Sequence, residues 1–221
     1  MKLGIRSRFS RDSALEHAIT APTLHTRRLV LRPHRMDDAA RWHEIQSSPD
    51  VRAYTSWPER TAAESRTHLK HRTKHVVLRR ADDFLALAIE HDGQLVGDVA
   101  LHLRSVSPTT RFVEISWILH PEHYGHGFAR EAAEELMNFA FERAAARWIV
   151  AVIHPHNAPS IALASSLGFT QVSTTDDSLC FIAGTPAQRR AVSRERPSGA
   201  PLRAAGGEQS HNPPRQKNAL A

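Results

Sequence analysis

The chain contains the stretch FVEISWILHPEHYGHGFAREAAEE from Phe112 to Glu135, whose pattern predicts a strand, a tight turn and a helix. Apolar side chains occupy every second position of its first part, which predicts a β-strand with one buried face: Val113, Ile115, Trp117 and Leu119. Glu114, Ser116 and Ile118 then point to the opposite face, so Glu114 is a single acid within a mainly apolar strand. His120-Pro121 ends the strand.

A glycine-bearing turn, Tyr124 to Ala129, follows this strand and leads directly into a helix. An apolar stripe predicts that helix: Ala132, Ala133, Leu136, Phe139 and Ala140. Gly125 and Gly127 let the backbone approach a ligand closely, and the first N–H groups of a helix have no internal partner. With the helix dipole, such groups suit a phosphate or pyrophosphate. The turn matches neither GxGxxG nor GxxxxGK[ST], the two common nucleotide-binding patterns.

The composition fits one globular domain. The 221 residues are 41% hydrophobic and 24% charged, which is enough for a sizeable core. The N-terminus lacks the apolar region of a secretory signal, and no apolar run reaches the length of a membrane span, so we expect a cytoplasmic protein without membrane contact. The single cysteine, Cys180, excludes an intrachain disulfide and is expected to be a small buried residue.

The net charge of +6 lies in the two ends of the chain. Residues 186–221 carry seven Lys/Arg and two Asp/Glu, residues 1–21 carry four and two, and the remainder carries 18 and 19. We therefore expect a basic, poorly ordered extension at 1–21 with a short helix around Ser13 to Ile19, a folded domain at 22–185, and a basic disordered tail at 186–221. A tail of this kind can bind nucleic acid weakly, although a solvated end is the more common role.

The quoted stretch resembles the GNAT family, the Gcn5-related N-acetyltransferases, whose pyrophosphate loop is often written [Q/R]xxGx[G/A]. The loop aligns as Tyr124, Gly125, His126, Gly127, Phe128 and Ala129. Tyr124 departs from the pattern, and an aromatic residue there resembles the branch that contains the ribosomal-protein alanine N-acetyltransferases. The segments TRRLVLRPHRMDDAARW and NAPSIALASSLGF resemble the same family. The resemblance covers residues 22–185 and implies an α/β (α+β) fold, a mixed, mostly antiparallel twisted sheet of six to seven strands flanked by about four helices.

Local patterns predict the remaining elements. Strands are expected at Arg27–Pro33, Phe84–Glu90, Leu95–Leu103, Trp148–Ile153, Phe169–Thr174 and Ser178–Ala183. Helices are expected at Met36–Ser47, at Ala62–His75 after a Thr61/Glu64 capping box, and from the N-cap Asn157 to Gly168. Asp92-Gly93 predicts a hairpin turn.

The resemblance implies acetyl-CoA as the cosubstrate. The loop 124–129 would hold its pyrophosphate, and main-chain groups of Trp117, Ile118 and Leu119 would line its pantetheine arm. Asn157 would contact the same arm, with helix capping as the competing role. We assign Glu114 as the general base, acting directly or through a water, because the amine must lose a proton before it attacks. Many family members carry a Tyr acid in the last helix where this chain has Ala164, so Ser160 is the candidate proton donor.

The acceptor is expected to be a primary amine, either a protein N-terminus or a small molecule such as an amino acid, polyamine or antibiotic. In the family, the loop between the first two helices helps to form the acceptor site. Tyr54, Trp57 and Arg60 are therefore candidate substrate contacts, and aromatic packing explains the first two equally well. Whether the chain forms a homodimer stays open.

Two other functions remain open. Ala164, in place of the Tyr acid, is compatible with a non-catalytic acyl-CoA-binding or sensor protein. The basic tail is compatible with a nucleic-acid-associated protein, whose binding would depend steeply on salt. The histidines at 120, 123 and 126 lie on a Pro/Gly loop without a nearby cysteine, so we expect no metal site.

Overall fold

The computed structural model describes residues 14–185 and 187. Within them the strands, in chain order, are β1 Ala14–Thr20, β2 Leu24–His25, β3 Val30–Pro33, β4 Val77–Arg80, β5 Phe84–His91, β6 Gln94–Ser105, β7 Phe112–Leu119, β8 Trp148–Ile153, β9 Thr170–Thr174 and β10 Leu179–Gly184. The α-helices are α1 Ala39–Ser47, α2 Pro49–Arg52, α3 Ala62–Arg72, α4 Phe128–Glu142 and α5 Ala158–Ser166. The proposed tail at 186–221 lies, apart from residue 187, outside the described residues.

Eight strands form one central sheet in the order β2-β3-β5-β6-β7-β8-β10-β9. Neighbouring strands are antiparallel except β7 and β8, which are parallel. The mixed, mostly antiparallel sheet of the prediction is thus confirmed, with one strand more than the predicted range. Five α-helices are found in the described part of the chain, and the additional one, α2, is a single turn.

Strand β7 and helix α4 form the centre of the larger core. Val113, Ile115 and Leu119 of β7 are buried on the face that packs against α4. The predicted stripe of α4 is buried throughout, at Ala132, Ala133, Leu136, Phe139 and Ala140. Removing this much apolar surface from water is the main stabilising term of the fold, at about 25 cal/mol for each Å² buried.

The short helix predicted around Ser13 to Ile19 is wrong, because residues Ala14–Thr20 form strand β1. This strand pairs antiparallel with β4 in a separate two-stranded sheet, and its Leu15 is buried in the main core. The segment 1–21, which we expected to be poorly ordered, therefore contains a strand. The cause is tertiary, since seven residues with one buried side chain have little reason to form a strand without β4.

A second core packs on the opposite face of the sheet, beneath α1 and α3. It contains Trp42, Ile45 and Leu69, and Ile118 of β7 packs against it. A buried ionic network anchors α3 to β6: Arg72 Nε donates to Asp98 Oδ2 at 2.7 Å, and His34 Nε2 lies 2.6 Å from the same oxygen. Burial opposes ionisation of Asp98, but the attraction of Arg72 and the contact with His34 outweigh it and lower the pKa to about 2.

Candidate active site

The parallel strands β7 and β8 pair only over their first residues, ending at Glu114 opposite Val150. On its other side β7 stays paired with β6 as far as Leu119. The two parallel strands therefore separate after Glu114, and the edge of β7 from Ile115 to Leu119 presents backbone N–H and C=O groups to the gap. Both strands run in the same direction, so the gap opens at the end where the loop 124–129 follows β7 and α5 follows β8.

The loop at the open end takes its shape from two left-handed glycines. Gly125 has φ 78° and Gly127 has φ 77°. A Cβ on Gly125 would meet nothing within 4 Å, and one on Gly127 would meet only Arg28 Nη2 at 3.5 Å, so backbone conformation rather than crowding requires glycine. Gly127 is the N-cap of α4, and Phe128, already in the helix, is buried. The unpaired N–H groups of the first helical turn thus lie at the open end of the gap.

Arg28, just before β3, holds this loop in place from outside. Its Nη1 donates to the carbonyl oxygen of His126 at 2.9 Å, and its guanidinium lies 4.7 Å from the centre of the Phe128 ring. Glu131 of α4 fixes Arg28 in turn, because Oε2 accepts from Nε at 2.8 Å and Oε1 accepts from the Arg28 backbone N–H at 2.8 Å. Thr26 Oγ1 also donates to Glu131 Oε1, at 2.6 Å.

Three predicted residues meet on the α5 side of the gap. Trp117 of β7 reaches across and donates from Nε1 to Ser160 Oγ at 3.2 Å. Asn157 caps α5, since its Oδ1 accepts from the Ser160 backbone N–H at 3.1 Å, which confirms the predicted N-cap. The Ser160 hydroxyl therefore accepts from Trp117 and keeps its own proton to donate. Ala164, one turn further along, is fully buried and contributes to the core.

Glu114 lies at the closed end of the gap, where the parallel pairing ends. Its side chain is about one quarter exposed, and Oε2 accepts from Arg104 Nε at 2.9 Å. Arg104 also contacts Asp82, at 3.2 Å.

The predicted acceptor residues belong to the segment between α2 and α3, but they do not converge. Tyr54 is 41% exposed, and its ring centre lies 5.7 Å from that of His154, just after β8, beside the open end of the gap. Trp57 packs against Trp42, with ring centres 5.7 Å apart. Its packing role is thus established by the structure. Arg60 lies in a separate cleft beside α3.

The loop histidines make contacts within the protein. Burial, reinforced by the positive charge of Arg41, lowers the pKa of both His120 and His123. Within residues 14–185 and 187, no three His, Cys, Asp or Glu side chains lie close enough together to hold a metal ion. In the same part of the chain, no helix is both long and apolar enough to cross a membrane.

Comparison with known proteins assigns this arrangement to a family. Residues 28–170 match the family model described as the acetyltransferase (GNAT) domain. The chain belongs to the GNAT acetyltransferase family. It is an N-acetyltransferase, and the resemblance inferred from the sequence is confirmed.

Individual relatives are distant in sequence but cover most of the fold. The N-acetyltransferase p20 of Bacillus licheniformis, itself uncharacterised, is 26% identical over 147 residues, which is 66% of this chain and 82% of the relative. A structure of RimL, a ribosomal L7/L12 alpha-N-protein acetyltransferase in complex with coenzyme A, has a TM-score of 0.59 at 16% identity and covers 75% of this chain and 97% of that one. Mycobacterium smegmatis RimJ, in complex with CoA-disulfide, has a TM-score of 0.57 at 20% identity, and the match covers 75% of this chain and 89% of RimJ.

Sequence reasoning missed two of the acetyltransferase's site-forming residues. Arg28 reaches His126 across 98 positions of the chain, and Arg104 pairs with Glu114 across the β6–β7 ladder. No local spacing marks Arg28. Arg104 could have been found, because a cross-strand basic partner is expected for an acid in a partly exposed ladder.

Proposed function

We propose that this acetyltransferase transfers the acetyl group of acetyl-CoA directly to a primary amine, either a protein N-terminus or a small molecule. The observation that carries the proposal is the gap between β7 and β8, which has a helix-capping glycine loop at its open end and a carboxylate, Glu114, at its closed end. The loop 124–129 binds the pyrophosphate, and the unpaired edge of Trp117, Ile118 and Leu119 binds the pantetheine arm. The RimL and RimJ complexes with CoA support this cofactor for the shared fold.

The reaction needs one proton acceptor and one donor. Glu114 takes a proton from the acceptor ammonium, directly or through a water, which frees the nitrogen lone pair. The amine nitrogen then attacks the thioester carbonyl carbon, so that a C–N bond forms and the C–S bond breaks. The thiolate leaves with the electron pair of that bond and receives a proton from Ser160 or from water. The attacking nitrogen loses its second proton as the amide forms, and that proton restores the donor. Trp117 orients the Ser160 hydroxyl for that transfer, and Asn157 contacts the pantetheine arm while it caps α5.

A thermal melt with and without acetyl-CoA tests the cofactor site. At about 100 times Kd, binding adds roughly 2.7 kcal/mol to the free energy of unfolding, which raises Tm by several degrees. Gly127→Val should abolish the shift, because a β-branched residue disfavours φ 77° and forces the loop to rearrange. Gly93→Val in the β5–β6 hairpin is the matched control, with φ 78° and open space around it, and should keep the shift.

Thiol release in a panel of primary amines then tests turnover. Acetyl-CoA binding followed by amine-dependent thiol release supports the enzyme. Binding without release from any amine favours the alternative, a non-catalytic acyl-CoA-binding or sensor protein, with which the buried Ala164 is also compatible. A folded chain without any Tm shift contradicts both.

A further inference from the structure

A second cleft of about 460 Å³ lies between the α2–α3 segment and one side of α3. Its lining combines one arginine, two acids and two histidines with smaller side chains: Pro58, Glu59, Arg60, Ala63, Glu64, Thr67, His68 and His71. The residues at 60, 64, 67, 68 and 71 follow one another at helical spacing, so the cleft runs along the side of α3 next to its buried face. Neither the pairing of β7 with β8 nor the glycine loop contributes to it.

Arg60 is a cation without a hydrogen-bonded partner in this cleft. Its Nη1 is buried, and no hydrogen bond or ion pair to Arg60 is found within the described residues. Burial lowers the pKa of the Arg60 guanidinium, and the negative charge of Glu64 raises it by less. Four buried side-chain nitrogens and oxygens in the described part of the chain lack a partner, and three belong to this segment: Arg52 Nε, Thr55 Oγ1 and Arg60 Nη1. Of these three residues only Arg60 lines the cleft, and because buried donors are rarely left unpaired, its Nη1 would gain from an acceptor.

The two acids near Arg60 already have other partners. Glu64 completes the capping box of α3, where Oε2 accepts from the backbone N–H of Thr61 at 2.8 Å and from its hydroxyl at 2.9 Å. Glu59 is 80% exposed at its side chain and pairs with Arg52 at 3.4 Å. Neither acid forms a hydrogen bond or ion pair with the Arg60 guanidinium, which therefore keeps its donors free for an acceptor.

His68 adds a second donor whose direction is fixed. Burial, with a contribution from Arg72, lowers the pKa of His68 to about 4, so its ring is neutral near pH 7. Its Nδ1 faces two donors, Trp42 Nε1 at 3.4 Å and Gln46 Nε2 at 3.0 Å. Ser65 Oγ fixes the Gln46 amide by donating to Oε1 at 2.6 Å. Nδ1 is thus the acceptor nitrogen, and the ring proton is on Nε2, the side that faces away from these partners.

We propose that this cleft binds an anionic group of the acceptor, a carboxylate, through Arg60 and the Nε2–H of His68. The inference rests on the proposed function and names the acceptor class as amines that carry a carboxylate. The same segment connects the cleft to the cofactor, because Tyr54 contacts His154 beside the gap between β7 and β8. Nη1 is the only Arg60 nitrogen that is buried, and the residue as a whole is partly exposed, so a carboxylate can reach the other guanidinium nitrogens from the cleft.

Matched acceptors test the proposal on the full chain loaded with acetyl-CoA. One series pairs free L-amino acids with their carboxamides, and the other pairs short peptides containing Asp or Glu with the Asn or Gln equivalents. Thiol release gives kcat/KM for each member. Loss of a hydrogen-bonded ion pair should lower kcat/KM for the neutral member about 10- to 100-fold.

Two variants assign that preference to the cleft. Arg60→Gln should bring the anionic member of each pair to within about threefold of the neutral one, mainly by raising its KM. Arg66→Gln removes the same charge from an exposed position of α3 and should keep the preference. Without ligand, Arg60→Gln should leave Tm unchanged or higher, since it removes a desolvated charge that has no partner.

The outcomes separate this inference from the proposed function. Absence of a Tm shift with acetyl-CoA contradicts the proposed function. If acetyl-CoA binds, the carboxylate site is overturned by equal rates for charged and neutral partners, by no transfer to any member, or by a preference that survives Arg60→Gln. A fall of several degrees in the ligand-free Tm of Arg60→Gln also overturns it, because Arg60 would then have a structural role.

Discussion

Arg28 should control cofactor affinity although it need not touch the cofactor. Arg28→Gln removes the guanidinium that donates to the His126 carbonyl and stacks on Phe128. It also leaves Glu131, whose side chain is 17% exposed, without its cation at the start of α4. The loop then loses its external support, and a negative charge remains beside the site proposed for the pyrophosphate.

The expected size follows from these contacts. A charged donor on a carbonyl that is partly exposed contributes about 1 kcal/mol, and a partly exposed cation–π contact contributes about 0.5–1 kcal/mol. Only the part of this stabilisation that holds the loop in its binding conformation affects acetyl-CoA affinity. We therefore expect the binding free energy to weaken by about 1.4 kcal/mol, which corresponds to a tenfold higher Kd for acetyl-CoA. Because the thioester end of the site is unchanged, kcat at saturating acetyl-CoA should stay near the wild-type value.

Calorimetric titration of acetyl-CoA into wild type, Arg28→Gln and Arg28→Lys measures the change. Arg27→Gln is the control, because it removes the same charge from an exposed residue next to Arg28. Turnover with S-acetylpantetheine, which lacks the pyrophosphate, should be alike in wild type and Arg28→Gln. Arg28→Lys should recover little of the acetyl-CoA affinity, since lysine lacks the planar guanidinium that reaches both Glu131 and His126.

Three results would refute this reasoning. An unchanged Kd in Arg28→Gln would mean that the loop keeps its shape without support. An equal loss in Arg27→Gln would reduce the effect to general electrostatic attraction of an anionic ligand. An equal loss with S-acetylpantetheine would show that the damage extends beyond the pyrophosphate loop.

Three further expectations concern the base and the pH and charge dependence of stability. Glu114→Gln should lower kcat about 10²- to 10⁴-fold with little change in the Kd for acetyl-CoA, and an unchanged kcat in thiol-release assays would remove Glu114 from the mechanism. His68 and His102 both have a pKa lowered to about 4, first by burial and then by nearby arginines. The unfolded chain therefore binds more protons between about pH 6.5 and pH 4, and the free energy of unfolding should fall across this window by up to about 1.4 kcal/mol per pH unit for each histidine, as measured by urea unfolding at pH 7 and pH 5. Asp98→Asn should lower the free energy of unfolding by about 3–5 kcal/mol because Arg72 loses its buried partner, and a loss below about 1 kcal/mol in the same assay would mean that the network contributes little.

The elements that the sequence predicts well have strong local signals. Alternation defines β7, and the stripe from Ala132 to Ala140 defines α4. Asp92-Gly93 predicts its hairpin because both residues adopt positive φ, 49° and 78°, as a type I′ turn requires. Asn157 is the N-cap that its position before Pro159 indicates. In each case the physical cause lies within a few residues of the element.

The elements that the sequence misses depend on distant partners. Strand β1 exists through its pairing with β4, more than fifty residues away, and neither segment alternates clearly. The helix predicted at Met36–Ser47 begins as a 3₁₀ turn, Met36–Asp38, because the side chain of Asp38 accepts from the Arg35 backbone N–H and pairs with Arg32. The second predicted helix ends at Arg72 rather than His75, at the point where Arg72 turns towards Asp98.

The proposed site likewise has one part with a local sequence signal and one part that depends on distant residues. The segment proposed to bind the pyrophosphate is continuous, β7 followed by its loop and α4, so a sequence pattern of about eighteen residues can identify it. The proposed acceptor contacts combine Tyr54 with His154, and Arg60 with a histidine whose tautomer depends on Trp42, Gln46 and Ser65. These residues come from separate elements, so no single sequence pattern marks them. The family match therefore identifies the acetyltransferase chemistry of this chain, whereas the acceptor contacts proposed at Arg60 and His68 depend on residues that no single sequence pattern brings together.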